Sequence, residues 1–345
     1  MLKAAVLGAT GNVGQIFIQL LERHPWFEVT TVAASERSAG RTYGEASRWR
    51  QSTPVPESVA PMEVVDITPH AVKEVDIVFS ALPSDVAGKV EEQFASAGYV
   101  VVSNASAHRM DPDVPMLNPE INCSHVSLIE EQRKRRKWDG VIVTNPNCST
   151  TVLTLPLKPI FDVFGIRSLI VSTMQAISGA GYPGVPSLEI MDNVIPFIGG
   201  EESKMESETQ KILGTASKPA DFKVSSSCHR VPTIDGHMEA VFVGTKKKAE
   251  PNAVAKAMEN FIGEPQKLKL PSAPEKPVVV MKEPDRPQTR LDRMEGKGMS
   301  TVVGRIRKDP VLNGVKFIAL GHNTIRGAAG CGILNAEYLN VKKFI

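Results

Sequence analysis

One heptapeptide near the start, GATGNVG at residues 8–14, limits what this chain can fold into more than any other stretch. Its GxxGxxG spacing is a variant of the dinucleotide fingerprint. It separates an apolar run, LKAAVLG, from QIFIQLLERH, whose apolar spacing is helical and which ends before Pro25. Glycines let the backbone turn tightly and approach a pyrophosphate, whose charge then rests on the N-terminus of the following helix. As a bare triplet the motif is a weak signal. Between a strand and a helix, at the head of an alternating unit, it has the context a cofactor site requires. Gly8, Thr10, Gly11, Asn12, Val13 and Gly14 are therefore candidate cofactor-binding residues.

Further apolar runs follow: FEVTTVAAS from Phe27, VDIVFSAL at 75–82, YVVVSNAS at 99–106 and GVIVTN at 140–145, with helical sequence between them. Such alternation predicts a parallel sheet covered on both faces, an α/β fold with a Rossmann-like first domain. After about residue 150 the texture changes. SLIVSTMQAIS, HRVPTIDGHMEAVFVGTK and a run ending VVGRIRK are β-rich stretches separated by helical ones, which predicts a second, α+β domain with a larger mixed sheet. The expected boundaries are 1–148 for the dinucleotide-binding domain and 149–324 for a catalytic and dimerisation domain. A helix within 325–345 is expected to return to the first domain. The proline-dense stretch 271–287 reads as an extended connection.

A length of 345 residues exceeds what one core usually supports, in keeping with two domains. The charge of +2, from 40 basic and 38 acidic residues, is too even to make a polyanion or an anionic membrane the main partner. RKRRK at 133–137 is a run of five basic residues, but Glu130, Glu131 and Asp139 flank it without an aromatic array, so it reads as a solvated face. The four cysteines are widely spaced, with no CxxC pair and no zinc-ligand spacing, so no metal is expected. No signal-like segment and no apolar run of about 18 residues is present, and the expectation is a soluble, cytoplasmic protein.

Past the second strand lies SERS, residues 35–38. An acidic side chain there would bond the adenosine ribose of NAD, whereas an arginine with hydroxyl neighbours would hold the 2′-phosphate of NADP. Both types are present. Ser35, Arg37 and Ser38 favour NADP, and Glu36 is the competing ribose ligand.

VTNPNCSTT, residues 143–151, places Cys148 after a strand and an Asn-Pro-Asn turn and before hydroxyl residues typical of a helix start. A thiol there feels the positive end of the helix dipole and is expected to lose its proton more easily. A lone cysteine is otherwise an inert core residue, so a nucleophile needs a partner. His237, at the start of the strand-like MEAVFV, and Arg230, seven residues earlier, are the candidates.

Taken in order, GATGNVG, NASAHRM, NPNCSTT, MQAISGAGYPG, GGEESKM, CHRVPTIDGH and HNTIRGAAG span nearly the whole chain. Together they resemble the aspartate-β-semialdehyde dehydrogenases of the archaeal and fungal branch, similar in architecture to phosphorylating glyceraldehyde-3-phosphate dehydrogenase. The resemblance implies that Cys148 is the nucleophile, that Asn147 helps position the reacting carbonyl, and that Gln175 orients the intermediate. It implies His237 as general acid/base, Arg230 on the substrate α-carboxylate, and Glu201 or its neighbour Glu202 on the amino group. Lys204 and Arg109 would bind phosphate, Ser178 and Gly179 would bind NADP, and Asn323 would lie near its nicotinamide. A homodimer or homotetramer and a place in lysine, methionine and threonine biosynthesis are implied too.

These residue types suit the chemistry. A thiolate attacks an aldehyde, the adduct loses hydride to the nicotinamide to leave a thioester, and phosphate releases an acyl phosphate. In the cell the reaction would run towards β-aspartyl phosphate reduction. The nearest alternative is an acyl-CoA reductase such as malonyl-CoA reductase. N-acetylglutamyl-phosphate reductase fits less well, since its substrate lacks a free amino group. A non-enzymatic nucleic-acid binder would rest on the basic run alone.

Overall fold

The computed structural model describes all 345 residues. Strands β1 (Leu2–Leu7), β2 (Phe27–Ala34), β3 (Val64–Asp66), β4 (Ile77–Ser80), β5 (Val100–Ser103) and β6 (Val141–Thr144) form an all-parallel sheet in the order β3-β2-β1-β4-β5-β6. Helices α1 (Asn12–Leu21), α2 (Ser84–Ser96) and α3 (Leu128–Arg136) connect them. Because side chains alternate across a strand, Val6, Phe79, Val102 and Val143 join one hydrophobic cluster, while Leu7, Val78, Val101 and Ile142 join another on the opposite face. Each such buried side chain contributes roughly 1.5–3 kcal/mol. The order reverses at β1 and β4, so the crevice beyond their C-terminal ends, where Gly8 lies, is where such a sheet takes a ligand.

The second sheet contains β7 (Ile166–Gln175), β8 (Lys223–Arg230), β9 (His237–Thr245), β10 (Val278–Val280), β11 (Thr301–Asp309) and β12 (Gly314–Gly321), in the order β10-β11-β12-β9-β7-β8. It is mixed: β7 pairs parallel with β8 and β10 parallel with β11, and the remaining pairs are antiparallel. It has six strands, as many as the first sheet, so it is larger only in the length of its strands. The proline-dense connection is not wholly irregular, since β10 is an edge strand inside it, where proline neighbours are tolerated. Helices α4 (Cys148–Phe164), α5 (Glu201–Leu213) and α6 (Pro251–Glu259) supply the cluster that holds Leu153, Ile160, Met205, Ile212 and Val254 against Leu169, Val171, Val241 and Phe317 of the sheet.

Two sequence expectations change here. Pro156 and Pro159 predict a short or kinked helix, yet α4 runs 17 residues through both. Most of its side chains are buried, so tertiary packing outweighs the hydrogen bonds the prolines remove. The expected C-terminal helix, α7 (Gly330–Val341), is entered through a π-helical turn, Ile325–Ala329. Ala329, Ile333, Ala336 and Leu339 complete the core of the first domain. Arg326 fixes this return: fully buried, it donates to both carboxylate oxygens of Glu120, at 2.8 and 2.7 Å.

Candidate active site

Cys148 is the first residue of α4, with Asn147 as N-cap. The Asn147 side-chain oxygen accepts from the N–H groups of Ser149 at 2.9 Å and Thr150 at 3.3 Å, while its Nδ2 donates to Glu201 at 2.9 Å. Asn147 therefore caps the helix and positions Glu201. The expectation of an easily ionised thiol is reversed. Burial, and then the negative charge of Glu201, push Cys148 up to about 12, against the pull of Arg109, Arg230 and the Ser149 N–H. The N-cap has already claimed much of the dipole on which that expectation rested. On the opposite side Gly327, in the π-helical turn, lies so close that a Cβ on it would sit 2.7 Å from Cys148 Cβ.

The second sheet presents its covered face to this thiol. Along β7, β8 and β9 that face carries apolar residues at one end and Thr173, Gln175, Arg230, His237 and Glu239 at the other, all buried. One residue fixes two of them: the Ala176 N–H donates to His237 Nδ1 at 3.1 Å, and the Ala176 carbonyl accepts from Arg230 Nη1 at 2.8 Å. His237 is pushed down to about 3 by burial first, then by Arg230 and His322. Burial also lowers Arg230. Gln175 donates to Thr173 Oγ1 at 3.3 Å.

Helix α5 faces the same space. Glu201, Lys204 and Glu208 follow at helical spacing. Glu208 was not singled out by sequence reasoning, yet it accepts from the Asn147 N–H at 2.6 Å and from Arg109 Nη1 at 3.1 Å. Its position seven residues past Glu201, two turns along one face, was the signal available. Lys211, one turn further, donates to the carbonyls of Arg109, Asp111 and Val114 and so fastens the segment bearing Arg109 to α5. Burial pushes that amine down to about 8.

Cys148, Asn147, Gln175, Gly179, Glu201, Lys204, Arg109 and Arg230 line one cavity of about 290 Å³, together with Ser84, Asn104 and Ser106, which sequence reasoning also missed. His237 stands behind this wall at Gly179, where an added Cβ would lie 3.2 Å from its Nε2. Glu202 turns away, accepting from the Cys228 N–H, so Glu201 is the carboxylate that faces the cavity. A larger groove of about 450 Å³, between α6 and the β10–β11 edge, contains no cysteine or histidine.

The nucleotide residues lie at the C-terminal end of β1. Gly8 has φ +72°, and a Cβ on Gly14 would meet the Gly8 carbonyl oxygen at 2.3 Å, so the turn closes only with glycine at both positions. The N-cap of α1, Gly11, offers no side-chain acceptor, which leaves its first-turn N–H groups open to a pyrophosphate. Thr10, Asn12 and Val13 sit in this turn and helix start. Ser35 and Arg37 are exposed past β2, Ser38 is half-buried beside them, and Arg37 makes no ion pair. Asn323 donates to Ser178 Oγ at 2.9 Å and accepts from the Gly236 N–H at 2.9 Å, joining the tail to the wall beside His237. These residues fit a dinucleotide. Within the basic run, Arg136 pairs with Asp111, Asp113 and Glu92, while Lys134, Arg135 and Lys137 are exposed.

Two family descriptions match the chain: "Semialdehyde dehydrogenase, NAD binding domain" over residues 3–129 and "Semialdehyde dehydrogenase, dimerisation domain" over residues 157–326. The chain is 58% identical to an aspartate-semialdehyde dehydrogenase of Methanothermobacter thermautotrophicus, over 99% of each chain. It is 45% identical to malonyl CoA reductase (NADP) of Metallosphaera sedula, over 100% of this chain and 98% of that one. The solved structure of aspartate semialdehyde dehydrogenase with NADP from Candida albicans superposes with a TM-score of 0.92 at 43% identity, covering all of both chains. A nucleotide cradle, a cysteine at a helix start and a polar end on the covered face of a mixed sheet thus occur together in a chain that belongs to the aspartate-semialdehyde dehydrogenase family.

Proposed function

We propose that the chain is an NADP-dependent aspartate-semialdehyde dehydrogenase, forming aspartate semialdehyde from β-aspartyl phosphate through a thioester on Cys148 within aspartate-family amino-acid biosynthesis. The observation that carries this reading is the pairing of Arg230 and Glu201 on one cavity with Cys148. A substrate with an α-carboxylate and an α-ammonium needs one cationic and one anionic partner. Arg109 and Lys204, on the same cavity, supply the positive charge that a transferring phosphate needs.

The chain's own groups then divide the work. Arg230 and Glu201 hold the two ends of the amino acid, Asn147 and Glu208 keep Glu201 and Arg109 in place, and Gln175 and His237 face the reacting oxygen. The pyrophosphate lies on Gly8–Gly14, the 2′-phosphate on Arg37 with Ser35 and Ser38, and the nicotinamide beside Ser178, Gly179 and Asn323. When bound, NADP supplies the two-electron exchange with the carbonyl carbon. Residues 1–148 with 325–345 form the cofactor-binding unit, which also lends Arg109, Asn147 and Cys148 to the substrate cavity, and 149–324 form the catalytic and dimerisation unit.

We also assign the open face of the second sheet to a second copy of the chain, giving a homodimer or a pair of dimers. Ile170 on β7 is exposed on that face, and Leu188, Met191 and Phe197 in the segment that follows β7 are exposed as well, apolar side chains of the kind a subunit contact would cover.

The malonyl-CoA reductase reading is favoured by the 45% identity of that relative. It leaves Glu201 without a task, because a malonyl group has no ammonium. Initial rates separate the two. NADP reduction with aspartate semialdehyde that saturates in inorganic phosphate supports the dehydrogenase; phosphate-independent turnover of malonyl-CoA with NADPH overturns it.

A further inference from the structure

Arg109 stands on a stretch that secondary structure does not hold. Between β5 and residue 119 the chain forms no helix and joins no sheet beyond a single bridge at Met116. A stretch of this kind opens easily unless side chains pin its backbone. This one is gripped from two sides. From α5, Lys211 Nζ donates to the carbonyls of Arg109 at 2.6 Å, Asp111 at 2.9 Å and Val114 at 3.2 Å. From the end of α3, Arg136 Nε and Nη2 donate to the Asp113 carboxylate at 2.7 and 2.9 Å, and Nη2 also donates to Asp111 at 2.7 Å. His108 Nδ1 lies 2.8 Å from that Asp111 carboxylate, and its Nε2 lies 3.1 Å from the Gly88 carbonyl of α2.

Three carbonyls call for three donors. An ammonium has three N–H bonds and a neutral amine two, so the geometry is that of a charged Lys211, even though burial pushes the amine down to about 8. Neither Lys211 nor Arg136 lines the substrate cavity. What they fix is the backbone on which Arg109 stands. The Arg109 guanidinium is then held by Glu208 at 3.1 Å and by the Asn104 carbonyl at 2.9 Å, which leaves Nε as its buried donor without a protein partner.

We propose that Lys211 and Arg136 are positioning residues for the phosphate step: they hold residues 104–114 so that Arg109 meets the transferring phosphate, and they touch neither substrate nor cofactor. This rests on the reading of Arg109 as a phosphate ligand. It gives Arg136, in the basic run 133–137, a task inside the enzyme. The amino-acid end of the substrate is spared, because Arg230 stands on β8 and Glu201 at the opposite end of α5 from Lys211. A small shift of one ligand therefore weakens one partner only.

The test is initial rates of the full-length protein in the oxidative direction at pH 7, varying phosphate and aspartate semialdehyde in turn. Lys211→Met keeps the length of the side chain and removes all three donors. Its phosphate KM should rise about 5- to 20-fold, and that of Arg136→Met about 3-fold, with kcat at saturating phosphate and the aspartate semialdehyde KM within about twofold. Arg109→Met alone should raise the phosphate KM by roughly ten- to a hundredfold. In that background Lys211→Met should add no more than about twofold, because the group it positions is gone. A merely structural role would lower kcat, raise both KM values together and add in full to Arg109→Met. Either that pattern or an unchanged phosphate KM in both single variants overturns the proposal. Should Lys211→Met fail to fold, the same cycle with Arg136→Met decides. If the parent shows no phosphate dependence, or Arg109→Met leaves it unaltered, the phosphate reading falls and takes the proposal with it. If Arg109→Met raises the phosphate KM and the positioning variants do not, the proposal alone falls.

Discussion

Along β4, β5 and β6 of the first sheet every residue is buried, whereas along β7 and β9 of the second burial alternates. The first sheet is covered on both faces and can hold polar ligands only past its strand ends, which is where the glycine turn lies. The second sheet is covered on one face. Its covered face runs from Leu169, Val171, Val241 and Val243 to Thr173, Gln175, Arg230, His237 and Glu239, so chemistry intrudes into the core itself. Buried polar groups cost stability unless they are paired. Several here, including His237 Nε2 and both Glu239 oxygens, are not. In the function proposed above, the first sheet holds the cofactor past its strand ends, and the second carries an expensive polar end towards the substrate cavity.

That division is broken most sharply at Cys148. Cys148→Ser should lower turnover by at least about 1,000-fold, since a hydroxyl is a far weaker nucleophile than a thiolate. NADP affinity, measured by fluorescence titration, should stay within about twofold. A parallel loss of cofactor binding would show that the two sheets are not functionally separate. Gly179→Ala should come next. Its methyl group would press on Arg230 Nη1 and the His237 ring, both hydrogen-bonded to the backbone of Ala176. The expected result is a loss of kcat/KM of about 100-fold, comparable to displacing an oxyanion donor, with the fold intact by circular dichroism. Unchanged kinetics would mean that neither group works from its present position.

How far each sheet is legible in the sequence follows from the same contrast. Doubly buried strands are largely apolar runs, so β1, β4, β5 and β6 stand out, β2 shows by its apolar ends around Glu28, Thr30 and Thr31, and GATGNVG marks the strand end expected to hold the cofactor. The three-residue β3 and β10 are too short for any period to register. The polar end of the second sheet is different, because Gln175, Arg230 and His237 look like exposed residues until a neighbouring strand and helix cover them. The need of Cys148 for a partner picks out His237 and Arg230, and the family resemblance gives them roles and adds Gln175; periodicity would not. Glu208 escaped attention because its partners, Asn147 and Arg109, are 61 and 99 residues away. The direction of the Cys148 shift was misread for a related reason. A helix start is a local feature, while the burial and the Glu201 charge that override it come from α5, more than fifty residues on.

Arg37→Ala tests the first sheet alone. An exposed guanidinium with no partner in the protein is free to grip a 2′-phosphate, and losing one charge-assisted contact costs about 1.5–3 kcal/mol, or roughly ten- to a hundredfold in affinity. NADP should weaken by that amount, while NAD and turnover with saturating cofactor should scarcely change. Equal weakening of both cofactors would transfer the ribose to Glu36.

The smallest effect should come from Glu239, where the second sheet's polar end touches no ligand. Its carboxyl is fully buried, neither oxygen has a partner, and burial, then the Glu201 charge, raise its pKa well above the usual carboxylate range. In the folded chain it is therefore held protonated at a pH where the unfolded chain would ionise it. A raised acid favours the folded state fully below the unfolded value, and that support is withdrawn as pH climbs towards the folded value. Glu239→Gln removes this titration while keeping the size and polarity of the group. The melting temperature of the variant minus that of the parent should therefore increase from pH 5 to pH 8, with kcat close to parental at both. A difference that stays flat across that range would mean that Glu239 is ionised in the folded protein, paired by a cation that the present geometry does not supply. Arg230 would then not be the only charge on the polar end of the sheet.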